Sequence, residues 1–260
     1  MTISNSRNKY PWIDTIKSIG VYLVVLGHLW YLSDIEIINR MIYSFHMPLF
    51  FIFSGYLYKY KEEEKIPFIK RKFVRLALPA IIWYLITSPI YLYLNRDLNI
   101  AEIIRTMLFV DGKIPFNDPC WFFIDLFFVF MFVRLIRIQN TTTIKNLIVG
   151  IAAFVLGFFL YQLKVPDYFG MIKATIGLGF FMVGYICHNV ISEKFVVKKE
   201  HYIIIGLVSL PLWILFGVVL NEKVSLYSLS IGNYWYFILS GIFGTAILYV
   251  IVKYIYIYIY

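Results

Sequence analysis

Cysteine is nearly absent: Cys120 and Cys187 are the two among 260 residues. They sit at opposite ends of different apolar runs, on opposite membrane sides in the topology derived below, so they do not pair. Neither a disulfide framework nor a cysteine–histidine cluster with zinc spacing is present, and no metal is expected. Charge is scarce too: Asp, Glu, Lys and Arg make up 15%, with 15 acidic against 24 basic residues. No basic face interleaved with stacking aromatics exists outside the apolar runs, which excludes a nucleic-acid surface. The first apolar run lacks a small-residue cleavage site and carries Asp14 and Lys17. It is expected to remain as a membrane helix rather than leave as a signal peptide.

What fills the chain instead is apolar sequence. It is 61% hydrophobic and 20% aromatic, with a mean hydropathy of +0.76. Soluble domains average about 45–50% apolar residues, so this excess does not fit into one water-soluble core. The fold class is an all-α, polytopic membrane helix bundle. About 20 apolar residues cross the hydrocarbon layer. That rule gives eight spans, near 12–32, 41–58, 75–94, 119–137, 145–163, 169–190, 202–220 and 232–254. The link 95–118 contains "NIAEIIRTMLFVDG", whose helical apolar spacing predicts an interfacial helix.

Basic residues set the orientation. The 59–75 loop alone carries seven (Lys59, Lys61, Lys65, Lys70, Arg71, Lys72 and Arg75), whereas the 33–40 loop carries only Arg40. Loops on the N-terminal side hold 13 Lys and Arg against 7 opposite, which predicts a cytoplasmic N-terminus in the cell membrane. The glycines of "GLGFFMVG" (Gly177, Gly179 and Gly184) and the Ser240/Gly244 pair predict close helix packing.

A few polar groups interrupt the apolar runs. In "WIDTIKSIGVYLVVLGHLWYL", Lys17 and His28 lie about 20° apart on a helical wheel, and Asp14 and His28 about 40°. One helix face therefore carries all three. Ionisable groups in a membrane normally face protein or a wet cavity. His28 is either a hydrogen-bonded interhelical histidine or a functional one; Asp14 and Lys17 suit a headgroup-layer pair or substrate positioning. "SFHMPLFFIFSGYLY" opens the second span with His46, and the short 33–40 loop makes the two spans antiparallel neighbours, so both rings are expected at similar depth. In "FIKRKFVRLALP", Lys72 and Arg75 lie three residues apart, as membrane anchors or as a clamp for an anionic phosphate. "FNDPCWFFIDLFF" contributes Asn117, Trp121 and the intramembrane acid Asp125, as substrate-binding or structural residues.

"DTIKSIGVYLVVLGH", "SFHMPLFFIFSGYLY", "KFVRLALP" and "CWFFIDLFF", in that order, resemble the acyltransferase 3 family of integral membrane O-acyltransferases, and most closely its fucose 4-O-acetylase-like branch. The likeness is dense over residues 12–130 and thin beyond. It implies one domain over residues 1–260, built as a helix bundle that moves an acyl group from cytoplasmic acyl-CoA, expected as acetyl-CoA, to a hydroxyl of a cell-surface or exopolysaccharide glycan. His28 matches the family's first-helix histidine, with Lys17 at the place of a basic residue usually arginine. Lys72 and Arg75 match an Arg-x-x-Arg motif, and Trp121 opens a Trp-Phe-Leu motif read here as Trp-Phe-Phe. The implied catalytic residue is His28, with Lys72 and Arg75 at the donor; His46 is read beside it as a catalytic partner that orients His28, stabilises the oxyanion or binds the acceptor, and Lys17 with Asp14 as positioning the donor or fixing helix packing. His28 then acts as a general base or as a covalently acylated residue. The family bundle has about ten helices, so the last are expected to be missing after "YVIVKYIYIYIY". Two rival readings are a glycan or lipid-linked sugar transporter and a truncated inactive acyltransferase. The first is weakened by the lack of paired discontinuous helices.

Overall fold

The computed structural model describes residues 11–30, 36–59, 63–94, 101, 120–138, 142–189, 199–222 and 224–259. Helices account for nearly all of them: α1 Pro11–Trp30, α2 Glu36–Tyr43, α3 His46–Tyr56, α4 Lys65–Lys72, α5 Leu78–Leu94, α6 Trp121–Ile136, α7 Thr143–Gln162, α8 Met171–Cys187, α9 Lys199–Ile214 and α10 Tyr234–Ile259. A π-turn, Phe73–Ala77, joins α4 to α5, and a second, Leu215–Val219, extends α9. Among the described residues there is no strand, only an isolated bridge between Ser225 and Ser230. The bundle is all-α and polytopic.

Among the described residues, six helices are long and apolar enough to cross a membrane, starting at Pro11, Lys65, Thr143, Tyr168, Glu200 and Tyr234. Two of the eight expected spans fall short. The 41–58 run is divided between α2 and α3, because the chain turns at Ser44–Phe45. The 119–137 run forms α6, whose 16 residues reach about 24 Å, less than the roughly 30 Å of hydrocarbon. Apart from Ala101, the expected interfacial helix of the 95–118 link lies outside the described residues, as does Asn117.

The chain divides into two compact units. The first comprises residues 1–53, 194–224 and 231–260; the second comprises 54–193 and 225–230. In the first, α1 lies on α2 and α3 through two glycines. A Cβ at Gly20 would approach Leu49 and Phe50 to 2.9 Å, and one at Gly27 would approach Tyr43 to 3.2 Å and Ile42 to 3.3 Å. The Ser44–Phe45 turn is held from the far end of the sequence. Trp213 Nε1 donates to Ser44 Oγ at 2.9 Å, Ser240 Oγ donates to the Ser44 carbonyl at 3.3 Å, and Gly217 and Gly244 bring backbone against Ser44 and Phe45. Burial of Ile13, Ile16, Leu49, Phe51 and Phe237 forms the apolar centre.

The second unit is built around α8, in which every residue from Ile172 to Met182 is buried. Its glycines serve packing. A side chain at Gly179 would overlap the Phe154 ring of α7, and Gly150 of α7 lies against Met182. The Ser-Gly pair that ends α3 has the same explanation: a Cβ on Gly55 would overlap the carbonyl oxygen of Phe181. Phe181 also packs edge-on to Tyr58 and Phe130.

Candidate functional site

The first unit holds the two histidines. His28 lies in the last turn of α1 and is exposed, as are Asp14 and Lys17, while Trp12, Ile13, Ile16, Gly20 and Gly27 on the same helix are buried. The polar stripe read from helical spacing is therefore the uncovered face of α1. His46 is buried at the start of α3. Its Nδ1–H donates to the carbonyl oxygen of Ile42 at 2.9 Å, and Tyr43 meets its ring edge-on at 4.9 Å between centroids. A carbonyl only accepts, so Nδ1 carries the proton and the neutral ring presents its Nε2 lone pair. Ile42 and Tyr43, which hold His46, also receive Gly27, the residue before His28. The two imidazoles lie within electrostatic reach of each other. The interhelical histidine is thus His46; His28 has no hydrogen-bond partner among the described residues.

The second unit carries two polar clusters at opposite ends of α6, about 20 Å apart by helical rise. At the Arg134 end, Glu63 accepts from both arms of Arg71, at 2.7 and 2.5 Å, and gives its carbonyl oxygen to Arg134. Lys72 lies over the Phe130 ring, 3.1 Å from its centroid, and Phe68 receives Arg71, Lys72 and Arg134 around its ring. Arg75, in the π-turn, is exposed. Stacking of cations on aromatic rings holds several positive charges together with one carboxylate among them.

At the Trp121 end the signs reverse. Lys173, 1% exposed, pairs with Asp167 at 3.4 Å, donates to the Tyr227 carbonyl at 3.4 Å and lies over the Trp121 indole at 5.4 Å. Asp167 Oδ1 accepts from the Ile172 amide at 2.7 Å, fixing the start of α8. Burial pushes the Asp167 carboxyl above the usual carboxylate range, against the opposing pull of Lys173. Asp125 is 0% exposed, and neither of its oxygens has a hydrogen-bond partner among the described residues. It lies against Gly170, whose φ of 73° leaves the backbone bare at the point where a Cβ would overlap Asp125 Oδ1.

The acyltransferase domain model of the acyltransferase 3 family matches residues 10–259. The chain belongs to the acyltransferase 3 family. No curated protein and no solved structure matches it. The family match takes in α1 through α10, including the part beyond residue 130 where the sequence likeness was thin.

This acyltransferase is a multi-pass membrane protein that needs an acyl donor and an acceptor. Among the described residues, no three His, Cys, Asp or Glu side chains cluster as a metal site requires. Several members of the polar clusters escape a sequence reading. Arg71, Glu63 and Arg134 look like ordinary loop charges, and Lys173 reads as one more topological lysine. The signal that was there is an acid and a lysine six residues apart at the mouth of an apolar run, Asp167 and Lys173. Gly20 and Gly27, seven apart and so two turns apart on one face, mark the helix contact that brings α1 to His46.

Proposed function

We propose that this acyltransferase moves an acetyl group from cytoplasmic acetyl-CoA to a hydroxyl of a cell-surface or exopolysaccharide sugar, as a member of the fucose 4-O-acetylase-like branch. It does so in the cell membrane with its N-terminus in the cytoplasm. The observation that carries this reading is the histidine pair: an exposed imidazole, His28, beside a second whose tautomer is fixed by a backbone carbonyl. An imidazole reachable by substrate suits general-base chemistry on an alcohol.

In this mechanism His28 takes the acceptor hydroxyl's proton as its oxygen attacks the thioester carbonyl. The tetrahedral intermediate collapses, the C–S bond breaks, and the imidazolium returns the proton to the departing thiolate. The products are the sugar ester and free CoA. His46, with its Nε2 lone pair free to accept, orients His28 or binds the acceptor hydroxyl. Lys72 and Arg75 bind the donor's anionic part, while Lys17 and Asp14 position the donor or fix helix packing. Trp121, Asp125 and Asn117 belong to the acceptor side. Lysine at two positions usually held by arginine retains the charge without the bidentate fork.

Glycan O-acetylation measured in cells carrying the wild type and His28→Ala tests the proposal. Loss of acetylation in the variant, with the protein present at normal level, is expected. Equal acetylation in both overturns it, and altered glycan export with normal acetylation would favour transport.

A further inference from the structure

Asp125 stands apart from every other buried charge in the second unit. Lys173 has its acceptors in Asp167 and the Tyr227 carbonyl, and Asp167 has the Ile172 amide and Lys173. Asp125, fully enclosed, has two carboxylate oxygens and no donor among the described residues for either. The cluster holds two carboxyl groups and one ammonium, and hydrogen-bond donors or positive charge would fill the unmet capacity of the Asp125 oxygens. Three ligand classes bring these: a metal cation, an amine, or a polyol. The ammonium of Lys173 beside the site disfavours both cations. Paired hydroxyls meet the demand without adding charge, one O–H to each carboxylate oxygen. The surroundings suit a sugar ring. Trp121 stands one helical turn before Asp125, Gly170 lets the backbone pack directly against Asp125 Oδ1, and the turn Ser225–Ser230 covers Trp121 and Lys173 through Tyr227. That turn is short, closed by reciprocal Ser225–Ser230 backbone bonds of 2.7 and 3.0 Å, and forms one side of the enclosure.

We infer that Asp125, with Trp121 and Lys173, forms a subsite for two neighbouring hydroxyls of the acceptor sugar, entered by displacement of the Ser225–Ser230 turn. This rests on the sugar-acetylating function proposed above and extends it to a residue that binds acceptor without touching the reacting atoms. On the proposed orientation this end of α6 faces outward, where glycans lie.

The test uses the whole protein in lipid nanodiscs, which avoids sugar-based detergents, with methyl α-L-fucopyranoside as the probe. Thermal shift without acetyl-CoA reads binding, and radiolabelled acetyl transfer reads KM and kcat. Asp125→Asn removes one charge-assisted acceptor, so acceptor affinity and acceptor KM are expected to weaken about 10- to 100-fold, with donor KM and kcat within about twofold. If Asp125→Asn does not fold, Trp121→Phe should weaken the same two measures while leaving donor KM unchanged. Wild-type acceptor KM in either folded variant overturns the subsite and leaves the enzyme reading standing. Probe binding that depends on Asp125, without acetyl transfer by the wild type, upholds the subsite and overturns the enzyme reading. No probe binding by the wild type overturns the subsite.

Discussion

The Nδ1–H of His46 donates to the carbonyl oxygen of Ile42, 2.9 Å away and four residues earlier in sequence. That carbonyl belongs to the end of α2, and the ring belongs to the start of α3, so the bond spans the turn at Ser44–Phe45. The imidazole is therefore oriented by the turn itself.

This bond separates two roles that a single alanine variant would merge. His46→Asn retains an N–H donor for the Ile42 carbonyl but has nothing at the Nε2 position. We expect it to fold at near wild-type stability yet to lose transfer by about 10²-fold or more, the scale of a positioned acid–base group. Nanodisc thermal melts paired with acetyl-transfer rates check both halves.

The turn depends on Trp213. Trp213→Phe leaves Ser44 Oγ without its indole donor and removes a buried hydrogen bond, at a cost of about 1 kcal/mol. A lowered melting temperature is expected, and because His46 follows the turn by one residue, a lower kcat with little change in donor KM.

Glycine substitutions should rank by what stands opposite them. At Gly20 an added Cβ meets the ends of the Leu49 and Phe50 side chains, which can turn aside; at Gly55 it meets the backbone carbonyl of Phe181, which cannot. Gly20→Ala is expected to destabilise by about 1–3 kcal/mol, the usual range for overpacking, and Gly55→Ala by more. Comparative thermal unfolding of the two variants decides the order.

At the cationic end of α6, exposure separates two basic residues. Arg75→Ala, on the surface, should leave stability within about 0.5 kcal/mol while raising the acetyl-CoA KM. Lys72→Ala loses its seat over Phe130 and should lower stability as well as donor affinity. Donor KM measured beside melting temperature distinguishes the pair.

Asp167 supplies a pH dependence. Its carboxyl is raised by burial above the ordinary unfolded value near ~3.9, with Lys173 pulling the other way. A raised carboxyl favours the protonated folded form. Its stabilising contribution is therefore complete below the unfolded value and is lost as pH rises through the folded one. Melting temperatures of the wild type and Asp167→Asn across that range should diverge, with the wild type losing ground relative to the variant as pH increases.

Much of the architecture was legible because a bilayer demands long apolar runs, and six of them stand as helices where the sequence puts them. The α2–α3 break was not. Pro48 stands in the first turn of α3, where a helix start tolerates it, but Ser44 and Phe45 are themselves neither proline nor glycine, and the turn is held by Trp213, Ser240 and Gly217, far along the chain. The stripe of Asp14, Lys17 and His28 was legible because helical spacing alone defines it. The enclosure of Asp125 was not, since Gly170 reaches it only through tertiary packing. Gly55 shows in the sequence only as a glycine within an apolar run, and the Phe181 carbonyl that explains it lies on another helix.

The π-turn at Phe73–Ala77 has a consequence for how this helix tolerates change in length. Such a turn accommodates one residue more than an ordinary helix needs. Deleting one residue there would regularise the backbone, so secondary structure would survive the loss. The rod from Leu78 to Leu94 would keep its angle to the cationic foot that precedes it, because the turn had absorbed the very residue removed; a further deletion would rotate the rod by about 100° and send its inward-facing side chains out to lipid. The segment works as a phase adjuster, and its residue count is fixed by angle rather than by distance.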